Sequence, residues 1–496
     1  MKNVLYSSDT QQRVLSWAVP LLEMMHMKKI RLITLTVIFF LVAPHTFAAL
    51  LSDELVAFRG LYKQLVEINT TLSMGSCTVA ANAMADRLRS AGIPDKDIHV
   101  IVPPGWPEQG NLIATLRSPV SDTDAVLLLA HIDVVEADRA DWERDPFTLI
   151  EENGYFYGRG TADDKSMAAI FVDIMMRMSR SGYQPERDLK LALTCGEETP
   201  NTFNGASYLL ENHRELMDAS FALNEGGGGR MDKDGVRSYN GIQAGEKLYQ
   251  DYQLEVTNPG GHSSRPQKDN AIYRLSTALG QISNYSFPIE FSDITRTYFR
   301  RLSDLETGQV AEDMLAILQS PPDMDALSRM TDIPGYNAIL HTTCIATLLN
   351  AGHAPNALPQ RARANVNCRI FPGHTQEEVR QTLEQIVNDS GVAVTLADPP
   401  ESTSPPPPLT REILEPIERV TEQMWLGIPV LPSMSAGGTD GRFLTPAGIP
   451  TYGVSGIFYA PGQVNAHGLN EKVPVNSLYE GREFLDRLVR IYIGGE

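Results

Sequence analysis

Two apolar runs that each end in acidic or histidine residues constrain this fold more than any other feature. Residues 125–130 read A-V-L-L-L-A and are followed at once by H-I-D-V-V. Residues 189–194 read L-K-L-A-L-T and are followed by C-G-E-E. Runs of this kind predict strands buried on both faces of a sheet that helices cover. Such sheets carry their binding loops at the carboxyl ends of the strands, so we expect the polar residues after the two runs to meet.

The rest of the chain divides into segments by the spacing of its apolar residues. Helical spacing before residue 91 gives way to alternating strands and helices, which predict an α/β fold with a mostly parallel central sheet. Near Tyr249 the pattern changes to strands with one buried face, mixed with helices, which predicts an inserted α+β domain. The predicted bounds are 49–247 and 373–496 for the two parts of the main domain, and 248–372 for the inserted domain.

Residues 1–48 have the pattern of a secretory signal. M-K-K-I-R from Met27 is basic, an apolar stretch follows at 32–43, and small residues stand near Ala48. The stretch is shorter than the roughly 20 residues of a transmembrane helix, so we expect cleavage and export to the periplasm or the medium. An uncleaved membrane anchor is the alternative. The 26 residues before Met27 do not resemble a signal, which makes Met27 a candidate for the true start.

Charge and cysteine content limit the partners and the compartment. A formal net charge of −19 argues against nucleic acid and anionic membrane surfaces as partners. Four cysteines are too few for a disulfide framework, although export would permit a bond. Cys344 and Cys368 are the best pair, because both lie in strand-like runs of one segment. Cys195 is interpreted as a small buried hydrophobe.

The residues after the first apolar run are candidate metal ligands. A histidine at a strand end, such as His131, is more often structural than a ligand. Asp133 shifts this balance, because a carboxylate two residues on can accept a hydrogen bond from the ring and fix its direction. Asp163 follows a glycine-bracketed turn and could bind metal or cap the helix predicted to begin near Ser166. Asp164 is the other candidate cap.

Three further acidic residues can be interpreted as ordinary surface charges as well as functional groups. Adjacent Glu197 and Glu198 are commonly just solvated charges, but in a metal site one can bind the ion while the other faces the water. Glu225 lies in N-E-G-G-G-G and on its own would be interpreted as part of a flexible acidic loop. The order and spacing of all these residues carry more information than any one of them.

This series of motifs resembles the aminoacylase-1, carboxypeptidase G and acetylornithine deacetylase family of co-catalytic zinc peptidases and deacylases, in its carboxypeptidase S-like branch. The resemblance covers about residue 50 to the C-terminus. Its motifs here are H-x-D-V-V, G-R-G-x-x-D-D-K, G-E-E, N-E-G-G, G-G-H-S-S, N-A-L-P with R-I-F-P-G, G-G-T-D-G-R and the late H-G-x-N-E. One departure is Ser166, which stands where many relatives have glycine.

The resemblance implies two zinc ions per chain, with cobalt or manganese as substitutes, and a residue for each role. One ion would be held by His131 and Glu225, the other by Glu198 and His467, with Asp163 bridging both. Asp133 would orient His131, and Glu197 would be the general base. The family also implies a cis peptide between Asp163 and Asp164.

Substrate contacts are implied in the same way. His262 would stabilise the developing oxyanion, often from a partner subunit, although a bare histidine there would more often be a surface residue. Asn356 and Arg369 resemble residues of the inserted lid domain that hold the substrate. Gly437, Gly438 and Thr439 would line the pocket near its carboxylate. For Asp440 and Arg442 a structural ion pair is equally plausible.

We therefore expect an exported zinc metallohydrolase that cleaves an amide bond next to a free carboxylate. The substrate would be a small peptide, for a carboxypeptidase or dipeptidase, or an N-acyl amino acid, for a deacylase. No nucleic acid and no stable membrane span in the mature form are expected, and either a homodimer through the lid or a monomer is compatible with the family. The alternatives are an inactive binding homologue and a mononuclear zinc aminopeptidase that lacks the lid.

Overall fold

The computed structural model describes residues 52–120, 125–199 and 202–494. The predicted signal segment at 1–48 therefore lies outside the described residues. Within the described ranges, no helix combines the length and the apolar character that spanning a bilayer requires.

Fourteen α-helices and two short 3₁₀ helices (Asp95–Asp97 and Arg139–Asp141) lie in the described part of the chain. The α-helices are α1 Asp53–Glu67, α2 Cys77–Ser90, α3 Lys165–Ser181, α4 Gly205–Asn212, α5 Arg214–Met217, α6 Ala271–Ser283, α7 Asp293–Ser303, α8 Gln309–Ala316, α9 Met324–Thr331, α10 Pro334–Leu340, α11 Gln376–Val387, α12 Arg411–Met424, α13 Gly441–Leu444 and α14 Val475–Tyr492.

The same ranges contain nineteen strands. They are β1 Ile98–Ile101, β2 Asn111–Leu116, β3 Val126–His131, β4 Ile150–Glu152, β5 Tyr155–Tyr157, β6 Leu189–Thr194, β7 Phe221–Asn224, β8 Gly228–Met231, β9 Arg237–Glu246, β10 Leu248–Thr257, β11 Gly261–His262, β12 Thr343–Ala351, β13 Ala357–Leu358, β14 Arg361–Ile370, β15 Ala393–Leu396, β16 Val430–Ser435, β17 Thr451–Gly453, β18 Phe458–Tyr459 and β19 Lys472–Pro474.

The larger sheet confirms the predicted α/β class. Its order is β1-β2-β6-β3-β7-β17-β9-β8-β18, with β16 also paired to β9. The middle strands β6, β3, β7 and β17 are parallel to one another, whereas the pairs β1–β2 and β2–β6 on one side and β17–β9 on the other are antiparallel. Parallel neighbours point their carboxyl ends to one edge, which is where the predicted site residues stand.

Both apolar runs form strands that are buried at all six positions. Successive side chains of a strand point to opposite faces of the sheet. Accordingly Val126 and Leu128 belong to the core shared with α1, α2 and α3, whereas Leu127 and Leu129 belong to the core shared with α4 and α5. Helices thus cover both faces of β3, as its continuous apolar sequence requires.

A second, antiparallel sheet of four strands has the order β12-β14-β10-β15. Helices α6 and α11 close its buried face and share one apolar core with it. The structure thus has the additional domain that the sequence predicts, and its sheet continues past residue 372 through α11 and β15. Helices α7 to α10 pack instead into the core of the larger sheet.

Two disulfides are present, and one of them corrects the sequence interpretation. Cys344 and Cys368 stand opposite each other on β12 and β14 and are bonded, so the predicted pair is confirmed. Cys195 is buried, but its interpretation as an unbonded hydrophobe is wrong, because it is bonded to Cys77 at the start of α2. The two residues are 118 positions apart, so only the tertiary fold brings them together.

Candidate metal centre

Loops at the carboxyl ends of three parallel strands supply most of the predicted site. His131 is the last residue of β3, Glu197 and Glu198 follow β6, and Glu225 follows β7. Gly196 makes the turn after β6 with φ +92°, and a Cβ there would lie 2.1 Å from the carbonyl oxygen of Phe203. Only glycine therefore fits at that position, and it directs the two glutamates towards the strand end.

Asp163 lies between two imidazoles. Its Oδ1 is 3.1 Å from Nε2 of His131, and its Oδ2 is 3.2 Å from Nε2 of His467. Each imidazole also faces a second carboxylate: Glu225 Oε2 lies 3.6 Å from His131 Nε2, and Glu198 Oε2 lies 2.9 Å from His467 Nε2. The structure thus brings all five predicted ligands together, as two half-sites that share Asp163.

The donor set fits divalent metal ions. Histidine nitrogens and carboxylate oxygens are common ligands of such ions in proteins. One donor atom from each of His131, Asp163 and Glu198 lies within 4.8 Å of the others, and the same holds for His131, Asp164 and Glu225. The second group includes Asp164, to which the sequence assigned only a supporting role; Asp164 stands at the N-cap position of α3.

Burial and the neighbouring charged groups shift the pKa values of the carboxylates and imidazoles in the cluster. Burial and the charge of Glu225 raise the pKa of Glu197 to about 9, and burial likewise raises the pKa of Glu225. Burial would also raise the pKa of Asp163, but hydrogen bonds from the two imidazoles hold it well below its usual range. Hydrogen bonds to Asp163 and Glu198 raise the pKa of His467 to about 10. Several carboxylates concentrated around two imidazoles are what a divalent cation would neutralise.

Asp133 fixes the main chain of the glutamates as well as the histidine. Its carboxylate accepts hydrogen bonds from the backbone N–H groups of Glu197, at 3.3 Å, and Glu198, at 3.0 Å. Nδ1 of His131 lies 3.1 Å from the backbone carbonyl oxygen of Asp133 and 3.7 Å from its carboxylate. The ring therefore donates to the main chain, and the carboxylate holds the adjacent loop. The peptide bond between Asp163 and Asp164 is cis, as the resemblance implies.

Thr439, Gly441 and Arg442 of the G-G-T-D-G-R segment line a cavity that Glu225 also lines. Thr439 is buried and accepts hydrogen bonds from the Asn224 amide and the Gly441 N–H, both at 3.0 Å. Gly437 and Gly438 stand between β16 and Thr439. The cavity continues past Arg442 to apolar walls, which include Leu248, Phe371 and the prolines at 405–407.

The structural ion pair considered for Asp440 and Arg442 is wrong. Asp440 is buried and accepts hydrogen bonds from Thr194 Oγ1, at 2.7 Å, and Asn204 Nδ2, at 2.8 Å. It therefore ties the segment to β6 and to the start of α4 instead. Nε of Arg442 is buried without a hydrogen-bond partner and lies 3.8 Å from Glu401 Oε2.

Two predicted substrate residues lie together but do not contact the ligand cluster. His262 on β11 and Asn356 beside β13 are exposed, and the two strands pair with each other. Nδ1 of His262 accepts a hydrogen bond from the Ser264 N–H at 3.1 Å. Among the residues the structure describes, neither side chain is bonded to any of the five predicted ligands. The guanidinium of Arg369 lies 4.7 Å above the ring of Tyr249 and is in no ion pair within the same ranges.

Sequence reasoning missed two charged residues that contact the ligand loops. Arg159 and Glu471 are buried and form an ion pair of 2.8 Å between the G-R-G turn and the segment that follows His467. Both stand inside motifs that were recognised, G-R-G-x-x-D-D-K and H-G-x-N-E. Two signals could have identified them: Arg159 is a charged residue between two glycines, and Glu471 is an acidic residue shortly after a candidate ligand.

Known proteins match the chain over most of its length. The sequence model of Peptidase family M20/M25/M40 matches residues 127–491. N-fatty-acyl-amino acid synthase/hydrolase PM20D1 of Homo sapiens is 31% identical over 399 residues, which cover 77% of this chain and 77% of that protein. Probable carboxypeptidase S-like 2 of Dictyostelium discoideum is 26% identical over 336 residues, which cover 64% and 62%.

A solved structure shares the fold. The M20 family metallo-carboxypeptidase Sso-CP2 from Sulfolobus solfataricus superposes with a TM-score of 0.65 at 18% identity. The superposition covers 89% of this chain and 99% of that one. At this identity the likeness establishes the architecture, namely the mixed α/β sheet with an additional domain.

We predict that Asp133→Asn weakens metal binding about 10–100-fold without unfolding the protein, which is the usual effect of losing such a supporting group. An amide offers one acceptor oxygen where the carboxylate offers two, so one of the two backbone N–H groups loses its partner. Metal affinity is measured by competition with a chelator. The control is Asp138→Asn, which changes an exposed aspartate that caps a 3₁₀ helix in the same loop. Equal affinities of the two variants would contradict the assignment.

Proposed function

The chain belongs to peptidase family M20/M25/M40, and we propose that it hydrolyses an amide bond that lies next to a free carboxylate. Its family makes it a metallohydrolase, and its relatives are named as carboxypeptidases and as an N-fatty-acyl-amino acid synthase/hydrolase. One observation carries the proposal: two imidazoles and two further carboxylates surround Asp163, beside the half-buried Glu197.

The metal we propose is zinc, two ions per chain, with cobalt or manganese as substitutes. His131 and Glu225 would hold one ion, Glu198 and His467 the other, and Asp163 both. Two half-sites that share one carboxylate support a pair of ions over the single ion of a mononuclear aminopeptidase. Bound there, the ions would polarise the scissile carbonyl and acidify the attacking water. None of the five ligands is missing, which argues against an inactive binding homologue.

Glu197 is the proposed general base. Its backbone is held by Asp133, next to the proposed ligand Glu198, while its side chain is in no ion pair with any described residue. A carboxylate that is fixed at its backbone and free at its side chain is suited to take a proton from water and pass it to the leaving amine nitrogen. His262 contacts none of the five predicted ligands among the described residues, and we propose that it stabilises the negative charge on the carbonyl oxygen from the lid of a partner subunit.

Two arginines near the cavity support recognition of a free carboxylate. Burial lowers the pKa of Arg369, and the nearby positive charge of Arg442 lowers it further. Arg369 is in no ion pair among the described residues, and Arg442 only approaches Glu401 at 3.8 Å. Two guanidinium groups with so few anionic partners would be satisfied by a substrate carboxylate. Gly437, Gly438 and Thr439 are proposed to line the same pocket, with Asn356 contacting the substrate from the lid.

The acyl side of the substrate separates two versions of this function. A carboxypeptidase or dipeptidase accepts an amino acid there, and an N-acyl-amino-acid deacylase accepts an acyl chain. The human relative, at 31% identity, is named an N-fatty-acyl-amino acid synthase/hydrolase, and this acyl-chain substrate favours the deacylase. Comparison of Gly-X dipeptides with N-acyl amino acids, each with zinc and with chelator, distinguishes the two.

Two disulfides among the described cysteines support export, because such bonds persist in oxidising compartments. We propose that the signal is cleaved and that the mature protein is periplasmic or secreted, with an uncleaved membrane anchor as the alternative. N-terminal sequencing of the protein recovered outside the cytoplasm would reveal the cleavage site, and recovery only with the membrane would contradict it.

Glu197→Gln is predicted to lower kcat by about 10²–10⁴-fold while the metal content stays unchanged. The amide keeps the size of the side chain but cannot accept the proton. Turnover is measured on the better substrate class, and metal by elemental analysis. Glu211→Gln, an exposed glutamate of α4, serves as the control. Turnover of the Glu197 variant equal to that of the control would refute the role as base.

Arg369→Ala and Arg442→Ala are each predicted to lower kcat/KM for the carboxylate substrate about 10–100-fold, chiefly through KM. This is the range expected for a lost charged hydrogen bond of about 1.5–3 kcal/mol. The control is the same substrate with its carboxylate converted to an amide, on which wild type and variants should be equally slow. Losses of the same size on both substrates would mean that the arginines act on the fold instead.

A homodimer through the lid is the assembly we propose. Strand β12 forms one edge of the four-stranded sheet, and its Ile345, Leu348 and Leu349 are each about two-thirds exposed. An apolar edge strand is a typical site of strand pairing between chains. Leu348→Lys is predicted to convert the dimer into a monomer in sedimentation experiments. A wild-type monomer, or a variant that still dimerises, would rule this interface out.

A further inference from the structure

Glu471 is a buried carboxylate with an unusually complete set of donors. Its Oε1 accepts hydrogen bonds from the backbone N–H groups of Ala162, at 2.7 Å, and Asp163, at 3.1 Å. Its Oε2 accepts from the Gly160 N–H, at 3.1 Å, and from Nη1 of Arg159, at 2.8 Å. Two donors on each oxygen fix the orientation of the carboxylate, and three of the four come from the main chain that leads to Asp163.

Arg159 connects the same turn to the main chain of His467. Its Nη2 donates to the carbonyl oxygens of Gly468, at 3.1 Å, and His467, at 3.4 Å. The guanidinium lies 5.0 Å above the ring of Trp142, and the backbone N–H of Gly158 donates to the carbonyl oxygen of Glu471. One ion pair therefore joins the loop of the bridging carboxylate to the loop of the last histidine.

The segment around His467 depends on these contacts, because its backbone is unfavourable by itself. Asn465, His467 and Asn470 all have φ between 54° and 60°, the left-handed region that residues other than glycine seldom occupy. Packing does not hold the imidazole either: the side chain of His467 is 57% exposed, whereas that of His131 is 1% exposed.

We propose that Glu471 is a positioning residue for one half of the metal pair. With Arg159 it holds His467 against Asp163, and so it controls binding of the ion at Glu198 and His467. The half-site of His131 and Glu225 keeps its ion without Glu471. This inference rests on the ligand assignment proposed above.

The asymmetry follows from what holds each half-site. His131 ends β3 and Glu225 follows β7, two parallel strands that are paired with each other. Neither residue contacts Arg159 or Glu471 among the hydrogen bonds and ion pairs of the described chain. Glu198 is held through its N–H by Asp133. Glu471 also holds the N–H of Asp163, but Asp163 serves both half-sites. His467 is therefore the ligand of one half-site alone whose position depends on the ion pair.

The test is Glu471→Gln in the full-length zinc enzyme. In this variant an amide nitrogen replaces one carboxylate oxygen and must face two N–H donors, so two of the four hydrogen bonds are lost. We expect one zinc per chain after gel filtration where wild type keeps two, and at least a tenfold weaker Kd for the second zinc. Activity should recover in excess zinc, with KM little changed. Circular dichroism and thermal melting report separately on the fold.

The matched control is Asp173→Asn. Asp173 and Arg482 form another buried ion pair, of 2.7 Å, between α3 and α14, and it spans a similar length of chain. If Glu471 acted only on stability, both variants would melt earlier and lose zinc alike. We expect the Asp173 variant to keep both ions whatever its melting temperature.

Arg159→Lys covers the case in which the Glu471 variant does not fold. Lysine keeps a cation opposite Glu471 but loses the fork that reaches the two carbonyl oxygens, so the second zinc should again be lost. Two zinc ions bound with wild-type affinity in the folded variant would overturn the inference, as would equal loss in the Asp173 control. A wild-type chain that binds fewer than two ions would instead refute the ligand assignment itself.

Discussion

The position of Asp163 between two imidazoles is the constraint on which the rest of the site depends. One carboxylate can meet both rings only if the end of β3, the turn before α3 and the segment before β19 are fixed relative to one another. The sheet fixes the first of these, because β3 lies among parallel strands. Hydrogen bonds to buried carboxylates fix the turn before α3 and the segment before β19. A buried carboxylate is stable in a protein interior only when its oxygens accept hydrogen bonds.

Three buried acidic residues beside the metal centre fix the segments that carry it. Asp133 accepts from two backbone N–H groups after β6, Glu471 accepts from three before α3, and Asp440 accepts from the side chains of Thr194 and Asn204. Each stands directly beside a proposed functional residue. The carboxylates around the centre therefore divide into those that face the proposed metals and those that set the loops carrying them.

The sequence predicts what depends on local pattern and recognisable motifs. The apolar runs gave β3 and β6, the change of pattern near Tyr249 indicated the second sheet, and the five clustered ligands were named from their motifs. The Cys344–Cys368 bond could be predicted because both residues lie on one sheet. Three other contacts could not be predicted, since each joins segments whose proximity arises only in the tertiary fold: the Cys77–Cys195 bond, the partners of Asp440 and the contacts of Glu471.

The wide sequence span of the centre links metal supply to folding. Its five proposed ligands run from His131 to His467, so bound ions would act as a staple between early and late parts of the chain. A ligand that binds only the folded chain stabilises it by mass action. The resistance of this protein to unfolding and to proteases would then rise with the free metal concentration around it, and a chelator would loosen the fold as well as stop the chemistry.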